Sequence, residues 1–490
     1  MSDGPLLQPL PAERLSAQGS EAPELLFVNP PSPDGDTWIR CQHRAGQRAP
    51  DGTVWPQTAL AQLCALFPDR EAAILDAGAR RLSWQQLALE LERHAPRWYV
   101  TQLGGPTLQN DLQGVVLAKQ AGARTVVFGP VVTPVARELL QHCPALGYVL
   151  CGEPELTLRE LVDTVDRCQL TPAGIAPLFG ERRGCSWRGT VGAIPGLAWR
   201  HGGEPVINAP RPLMLKLDDL PLPRHELLPL GIYRGPAIQA PAAMVVTGRG
   251  CPGRCSFCLK HVTYGHTVRL RSPESILEEL LLLQRLGVRH VYMQADLFTV
   301  CRDQVAGLCR LMLAEGLRLR WSCSSRTDTV DDGLLQLMGR AGCRRITWAI
   351  ESASDALLWR NGKGTRADEI ERTIGWARAA GIESWGSFIL GLPGETEETA
   401  GRTVALARRL NLQRVTFELA VPRPGTPLWA QALQEGWLRP GAHWADADVC
   451  GPAILEYPWL RASRLEQWLE RAYREWALRP GSLWGQLRHL

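Results

Sequence analysis

Short apolar runs alternate with amphipathic helical patterns in two long stretches of this 490-residue chain. In the first stretch, strand-like runs cover residues 24–31, 71–77, 97–103, 125–130 and 147–153, and helical patterns cover 58–67, 83–94, 111–122, 133–143 and 157–168. Strands that alternate with helices on short connections predict an α/β fold, here a doubly wound, Rossmann-like parallel sheet over residues 24–168. Ligands bind such sheets at the carboxyl ends of the strands. In this chain those ends lie near Asn29, Asp76, Gly104, Gly129 and Gly152.

The second stretch repeats the pattern from residue 241 to about residue 430. Its strand-like runs cover residues 243–248, 290–295, 319–325, 345–351, 384–391 and 414–420. Six β/α repeats favour a partial, TIM-like (β/α)6 barrel over a second open sheet. Residues 169–240 are rich in Gly, Pro and Arg and are predicted to form an extended connector, while residues 1–23 are predicted to be disordered. Residues 431–490 are predicted to form a Trp-rich helical tail that packs on the barrel and caps its substrate end.

Composition and charge exclude several classes of protein. Hydrophobic residues make up 45% and charged residues 21%, which is typical of globular domains. The net charge of +4 is small and its basic residues are scattered, so no nucleic-acid partner is expected. No uncharged apolar run is long enough for a membrane span, and the first residues do not resemble a signal peptide. The chain is therefore expected in the cytoplasm, where clustered cysteines are metal ligands or catalytic groups.

Three cysteines, Cys251, Cys255 and Cys258, follow the first strand of the second stretch. Three thiolates within eight residues on a glycine-flanked turn can converge on one soft metal centre. A structural zinc ion takes four ligands, whereas each iron of a four-iron cluster normally holds one thiolate, so three cysteines leave one iron open. The alternatives are a zinc site completed by His261 or His266, or three unrelated thiols. The position at the carboxyl end of a strand favours the cluster.

The spacing Cys-x3-Cys-x2-Cys, with Phe257 before the last cysteine, resembles the radical S-adenosylmethionine (SAM) superfamily. The resemblance implies a [4Fe-4S] cluster whose open iron binds SAM. It also implies a 5′-deoxyadenosyl radical that abstracts a hydrogen atom from a small-molecule substrate. A low-potential electron donor of the flavodoxin or ferredoxin type would reduce the cluster.

Polar residues at successive strand ends resemble the SAM-binding residues of that superfamily. The resemblance assigns contacts with SAM to Phe257, Asp296, Arg326, Glu351 and Lys363. GLPGET (391–396) and PRPGTPL (422–428) are frequent companion motifs, although Ala349 and Ala353 replace the usual glycines around Glu351. Each charged residue taken alone is better explained as part of a surface salt bridge, and it is their order along the chain that favours the site.

Residues 24–168 resemble the cobalamin-binding domain fused to many radical SAM enzymes. The resemblance rests on the VNPPSP segment (28–33), LDAGARRLSWQQL (75–87), Lys119 with FGPVVTP (128–134), and CGEPELTLREL (151–161). It implies cobalamin contacts at Asn29, Asp76, Gly104, Gly105, Gly129, Gly152 and Glu153. The Asp-x-His-x-x-Gly motif is absent from the corresponding loops, so cobalamin is expected to bind without a protein histidine on cobalt.

The pairing of a radical cluster with cobalamin implies three candidate functions. The first is a C-methyltransferase that methylates an unactivated carbon of a secondary metabolite, lipid or tetrapyrrole. The second is a cobalamin-dependent cyclase, oxidase or rearrangement enzyme without methyl transfer, because residues 38–58 resemble such subgroups. The third is a cobalamin- or redox-sensing binding protein.

Overall fold

The structure, a computed structural model, describes residues 23–41, 44–49, 52–170, 190–235, 238, 240–446 and 448–479. The strands of its first half are β1 Leu25–Asn29, β2 Trp38–Cys41, β3 Arg44–Arg48, β4 Ala72–Asp76, β5 Trp98–Gln102, β6 Arg124–Phe128, β7 Tyr148–Leu150, β8 Leu197–His201 and β9 Glu204–Ile207. The helices between them cover Thr58–Cys64, Trp84–His94, Leu108–Gln120, Val132–His142 and Pro154–Leu170.

Seven of these strands form one sheet in the order β4-β1-β5-β6-β7-β8-β9. The first five in this order, β4, β1, β5, β6 and β7, are parallel. On β1, Leu25 and Phe27 pack into one buried cluster, whereas Leu26 and Val28 pack into another. Side chains of a strand point alternately to its two faces, so a strand covered on both faces requires a continuous apolar run. The predicted α/β architecture with a parallel sheet is confirmed for this half of the chain.

The predicted connector over residues 169–240 is in part a continuation of this sheet. β8 pairs antiparallel with β7, and β9 pairs antiparallel with β8. The connector interpretation is therefore wrong for residues 197–207. A short edge hairpin has too few residues to show a clear period, and the Gly and Pro residues around it dominate the local pattern. Residues 171–189, 236, 237 and 239 lie outside the described residues.

The rest of the connector packs against both halves of the chain. His225 is fully buried, and its Nε2 lies 2.7 Å from Oε1 of Glu279 in the second half. Tyr233 donates a hydrogen bond to Oδ2 of Asp76 in the first half, at 2.8 Å. These contacts fix the two sheets relative to each other.

The second half contains β10 Ala242–Val246, β11 Gly248–Arg249, β12 Arg269–Leu270, β13 His290–Gln294, β14 Arg320–Ser325, β15 Cys343–Glu351, β16 Glu383–Leu390 and β17 Arg414–Leu419. Its helices cover Lys260–Tyr264, Pro273–Arg285, Arg302–Ala314, Asp332–Arg340, Asp355–Arg360, Ala367–Ala379, Glu397–Arg409, Pro427–Gln434 and Ala462–Ala477. Six strands form a parallel sheet in the order β10-β13-β14-β15-β16-β17, which is their order in the chain. All six carboxyl ends therefore lie at the same edge.

The carboxyl-terminal tail packs on this second sheet. Trp437 and Trp468 are buried in the same apolar cluster as residues of β16 and β17. Tyr457 donates a hydrogen bond to the carbonyl oxygen of Gly391 at 2.7 Å, and Trp459 donates one to the carbonyl oxygen of Glu395 at 3.0 Å. These aromatic side chains stabilise the junction between the tail and the GLPGET motif.

Glu395 at this junction predicts a pH-dependent stability. Its side chain is fully buried, and burial raises its pKa to about 7, although hydrogen bonds from Thr399 and Gly391 partly oppose the shift. Because the folded-state pKa lies above the unfolded value, the stability gained from the protonated form is complete below about pH 4.5 and is lost as the pH rises to 7. We expect this loss to be about 3 kcal/mol.

The Glu395→Gln variant tests this expectation, because a neutral amide has no charge to desolvate. Its free energy of unfolding should lose roughly 2–3 kcal/mol less than that of wild type between pH 5 and pH 8, as measured by denaturant titration. Glu398→Gln, at an exposed carboxylate paired with Arg402, is the control and should follow wild type. An identical pH dependence in Glu395→Gln and wild type would contradict the prediction.

Among the described residues, no helix combines the length and the apolar character that a membrane crossing requires. Most of the segment predicted to be disordered, residues 1–22, and the last eleven residues of the predicted tail, 480–490, lie outside the described residues.

Candidate functional site

The three cysteines lie on a loop that follows β10 and the short strand β11 and turns sharply at Gly250. This glycine has φ +85°, and a Cβ on it would lie 2.0 Å from the carbonyl oxygen of Thr267. Glycine is the residue that adopts this conformation at no steric cost. Further along the loop, a Cβ on Gly253 would lie 3.4 Å from Sγ of Cys251 and 3.9 Å from Sγ of Cys255. Both sulfur atoms therefore lie close to this glycine.

Two neighbouring segments hold the cysteine loop in place. The backbone N–H of Ser256 donates a hydrogen bond to the carbonyl oxygen of Asn361, and the Ser256 hydroxyl donates one to Oδ1 of the same residue, at 3.0 and 3.1 Å. The backbone N–H of Leu428 donates to the carbonyl oxygen of Ser256 at 3.0 Å. Sequence reasoning missed Asn361, although it belongs to the NGKGT segment that contains Lys363.

The donor set of the loop is three thiols, one fewer than a closed structural zinc site requires and the number that leaves one iron of a four-iron cluster open. In the part of the chain that the structure describes, no three His, Cys, Asp or Glu side chains are grouped around the position of a single ion. Nδ1 of His261 lies 3.2 Å from the carbonyl oxygen of Gly265, and Nδ1 of His266 lies 3.1 Å from that of Gly253. Burial raises the pKa of the Cys258 thiol to about 11, so a positively charged centre must supply the charge that makes it a thiolate.

Asp296, at the end of β13, positions the cysteine loop. Its fully buried carboxylate accepts a hydrogen bond from the backbone N–H of Gly250 at 2.6 Å, and its Oδ1 lies 2.6 Å from Nζ of Lys260. One carboxylate thereby joins the residue before Cys251 to the residue two positions after Cys258. Asp296, which was predicted to contact SAM, therefore lies at the cysteine loop, and its two carboxylate oxygens contact Gly250 and Lys260 of this chain.

Glu351, Lys363 and Arg326 form a charged group beside Cys255. Nζ of Lys363 lies 2.9 Å from Oε1 of Glu351, and both residues are 6% exposed. Glu351 has φ +68° at a β-bulge, which is an uncommon conformation for a residue with a Cβ. Arg326 pairs with Asp328 through two N–H groups, at 2.8 and 2.6 Å, and donates to the carbonyl oxygen of Lys363 at 2.8 Å.

A cavity of about 330 Å³ lies at the carboxyl edge of the second sheet. Strand-end side chains from β13 to β17 line it, and so does Phe257 of the cysteine loop. Pro130 of the first half and Val449 of the tail also line the cavity. The polar and charged lining residues are Lys260, Thr263, Tyr264, Tyr292, Gln294, Asp296, Ser324, Thr347, Glu351, Ser387, Glu418 and Arg423. The cavity is therefore shared between the two halves of the chain.

In the first half, most of the predicted cobalamin residues lie together at the carboxyl edge of the sheet. Asn29 donates a hydrogen bond to Oδ1 of Asp76 at 2.6 Å, and burial raises the pKa of that aspartate. The backbone N–H of Gly104 donates to Oδ2 of Asp111 at 3.0 Å, and Nε of Arg40 lies 2.9 Å from Oδ1 of the same carboxylate. Sequence reasoning missed this buried pair, because its members are 71 residues apart and neither belongs to a local motif.

The predicted glycines have different surroundings. A Cβ on Gly129, which has φ +143°, would lie 2.7 Å from the carbonyl oxygen of Leu103, so this glycine allows two strand-end loops to approach each other. Gly152 has φ +77° and open space beside it, which leaves room for a ligand. The carbonyl oxygen of Gly105 accepts a hydrogen bond from the backbone N–H of Leu108 at the start of a helix.

Glu153 lies apart from this group. Its carboxylate is 7% exposed and lies between the guanidinium groups of Arg249 and Arg269 in the second half. A carboxylate enclosed by two arginines is satisfied by them, so Glu153 joins the two halves of the chain and does not present a free group to a ligand.

Comparison with known proteins gives a consistent result. The family model of the radical SAM superfamily matches residues 245–407. An uncharacterized methyltransferase of Pyrococcus horikoshii is 28% identical over 433 residues, which cover 88% of this chain and 89% of that relative. The anaerobic magnesium-protoporphyrin IX monomethyl ester cyclase of Cereibacter sphaeroides is 26% identical over 387 residues, covering 77% of this chain and 60% of that enzyme.

A solved structure shares the fold of nearly the whole chain. It is that of TsrM, a radical SAM methyltransferase from Kitasatospora setae with cobalamin and a [4Fe-4S] cluster bound. It matches with a TM-score of 0.65 at 18% identity, covering 91% of this chain and 81% of TsrM. The chain is therefore an enzyme with a radical SAM domain over residues 245–407, and nearly its whole length shares the fold of the cobalamin-bound TsrM structure.

Proposed function

We propose that this chain is a cobalamin-dependent radical SAM C-methyltransferase that acts on an unactivated carbon of a small-molecule substrate. The observation that carries the proposal is the shared cavity, whose wall combines Phe257 of the cysteine loop, Glu351 of the second sheet and Pro130 of the first half. A methyl donor held by the first half and a radical generated in the second half can both reach a substrate enclosed between them.

The two sheets have separate tasks in this proposal. The first half, including β8 and β9, is the cobalamin-binding domain, and the segment around residues 241–430 is a partial (β/α)6 barrel. Cys251, Cys255 and Cys258 would hold a [4Fe-4S] cluster, and Phe257, Asp296, Arg326, Glu351 and Lys363 would surround SAM. Asn29, Asp76, Gly104, Gly105, Gly129 and Gly152 would form or support the cobalamin site. When bound, these cofactors supply the radical and the methyl group, while the protein orients them and excludes water.

The chain's own residues account for orientation at the cluster loop. Asp296 fixes the loop at Gly250 and at Lys260, and Asn361 fixes it at Ser256, so the three cysteines of this loop have little freedom. The Glu351–Lys363 pair is almost fully buried, and such a preorganised pair keeps its orientation when a charged ligand enters. A low-potential flavodoxin or ferredoxin would deliver the electron, and a cytoplasmic location would suit an oxygen-sensitive cluster.

Product analysis tests the proposal. Reconstituted enzyme is incubated anaerobically with methyl-deuterated SAM, a reductant and candidate tetrapyrrole, lipid and secondary-metabolite substrates. Methyl transfer by this route should yield S-adenosylhomocysteine and 5′-deoxyadenosine in comparable amounts, together with a deuterated product. 5′-Deoxyadenosine with an altered but unmethylated substrate would contradict methylation and establish the second candidate.

That second candidate is a cyclase, oxidase or rearrangement enzyme without methyl transfer. The similarity to the magnesium-protoporphyrin IX monomethyl ester cyclase over 77% of this chain favours it as the alternative. The third candidate, a sensing protein, needs no substrate cavity, and the strand-end cavity described above argues against it.

A further inference from the structure

Four buried charged residues connect the two halves of the chain next to the start of the cysteine loop. We call Glu153, Glu155, Arg249 and Arg269 the interdomain ion cluster, and each is at most 7% exposed. Nη1 of Arg249 lies 2.8 Å from Oε1 of Glu153 and 3.3 Å from Oε2 of Glu155. Nη1 of Arg269 lies 2.8 Å from both carboxylate oxygens of Glu153. Two positive charges thus balance two negative charges in a buried site.

The position of this cluster in the chain is more informative than its strength. Glu153 and Glu155 follow β7, at the carboxyl edge of the first sheet, and Arg249 directly precedes Gly250 and Cys251. Arg269 lies opposite Arg249 in the β11–β12 pair. Its guanidinium also lies 5.6 Å from the ring centre of Tyr264, which lines the cavity. The cluster therefore joins the carboxyl edge of the first sheet to the residue directly before the cysteine loop.

Other contacts hold the two halves together independently of these charges. Through the connector, Tyr233 bonds to Asp76 of the first half and His225 to Glu279 of the second half. The hydroxyl of Thr58 in the first half donates directly to the carbonyl oxygen of Met244 in the second half, at 3.0 Å. Leu259 and Val262, next to the cysteine loop, pack in the apolar cluster of the first half. Mere attachment of the halves does not require four buried charges, because buried ion pairs are costly to desolvate and often add little net stability.

We propose that the interdomain ion cluster sets the distance and orientation between the carboxyl edge of the first sheet and the cysteine loop. This inference rests on the proposed function, which places cobalamin at that edge and the iron–sulfur cluster on that loop. Glu155 and Arg249 are positioning residues in this scheme, because neither needs to touch a cofactor. An arginine fits here because its planar guanidinium bonds two carboxylates at once, which a lysine ammonium does with less directional control.

The test measures the separation of the two cofactors in the reconstituted enzyme. With cobalamin reduced to the paramagnetic Co(II) state, the reduced iron–sulfur cluster enhances its spin relaxation to a degree that depends steeply on distance. Arg249→Lys and Glu155→Gln should each bind both cofactors and show a weaker and more heterogeneous enhancement than wild type. Asp166→Asn is the matched control, since Asp166 is a buried carboxylate between Arg70 and Arg97 at the opposite edge of the first sheet, and its enhancement should equal that of wild type.

A second measurement needs no cofactor. In the apo protein, amide hydrogen exchange of residues 248–258 should be faster in Glu155→Gln than in Asp166→Asn or wild type. Unchanged exchange in this loop would overturn the inference, and so would wild-type relaxation enhancement in both variants. Faster exchange in an enzyme that binds no cobalamin would instead sustain the coupling and contradict the proposed function.

Discussion

Replacing Cys255 with alanine is expected to abolish 5′-deoxyadenosine formation. The sequence supplies three cysteines for the cluster, and Cys255 lies between the other two beside the buried Glu351–Lys363 pair. With two thiolates left, the variant should not retain a four-iron cluster, and without it SAM is not cleaved. Iron and sulfide content, electron paramagnetic resonance of the reduced protein and chromatography of the nucleoside product measure these losses.

Cys450→Ala is the matched control. Cys450 is an exposed cysteine of the second half that lies outside the loop. Its variant should retain the cluster and the wild-type rate of SAM cleavage. A Cys255→Ala enzyme that still forms 5′-deoxyadenosine, or that binds a full complement of iron, would contradict the ligand assignment.

Gly250→Ala should have the second largest effect, because two costs add at that position. A left-handed backbone costs an alanine roughly 1–2 kcal/mol. In addition, its Cβ would lie 2.0 Å from the carbonyl oxygen of Thr267, so the backbone must move. Movement at Gly250 breaks the hydrogen bond to Asp296 and displaces Cys251. We therefore expect a folded protein with little reconstituted cluster and a lower melting temperature.

Gly287→Ala separates these two costs. Gly287 has φ +80°, but a Cβ there would meet no atom within 4 Å. Its variant should carry the conformational cost alone, lower the melting temperature slightly and retain the cluster. If Gly250→Ala reconstitutes as well as Gly287→Ala, the loop is not held as the structure indicates.

Local patterns were sufficient to predict the parts of the structure that are determined by residues close together in the chain. Continuous apolar runs such as residues 25–29 are buried on both faces. The helix predicted over residues 83–94 forms over Trp84–His94, where the side chain of Ser83 accepts a hydrogen bond from the backbone N–H of Gln86. The cysteine loop was found for the same reason, because its three cysteines lie within eight residues. The strand-end residues of the second half also lie at the predicted edge.

Interactions between distant residues account for what was missed. Glu153 resembles a cofactor contact, yet its partner Arg249 is 96 residues away and no local pattern connects them. The pairing of β7 with β8 likewise depends on contacts between residues that are far apart in the chain, because each strand is too short for its sequence to specify its neighbour. Trp437 and Trp468 of the tail are buried in the apolar cluster of the second sheet, and the capping of the substrate end stays a prediction.

The mixed origin of the cavity wall limits how this enzyme can be rebuilt from parts. Pro130 lines the cavity, and Cβ of Pro134 would lie 3.4 Å from a Cβ placed on Gly425, which in turn would lie 3.1 Å from Val262. The two halves of the chain therefore cannot be exchanged as independent modules. Residues 129–134 contact residues 259–264 and 423–426 at the boundary between the halves. A chimera that exchanges the amino-terminal half for that of another enzyme would have to change all three segments together to keep the cavity closed.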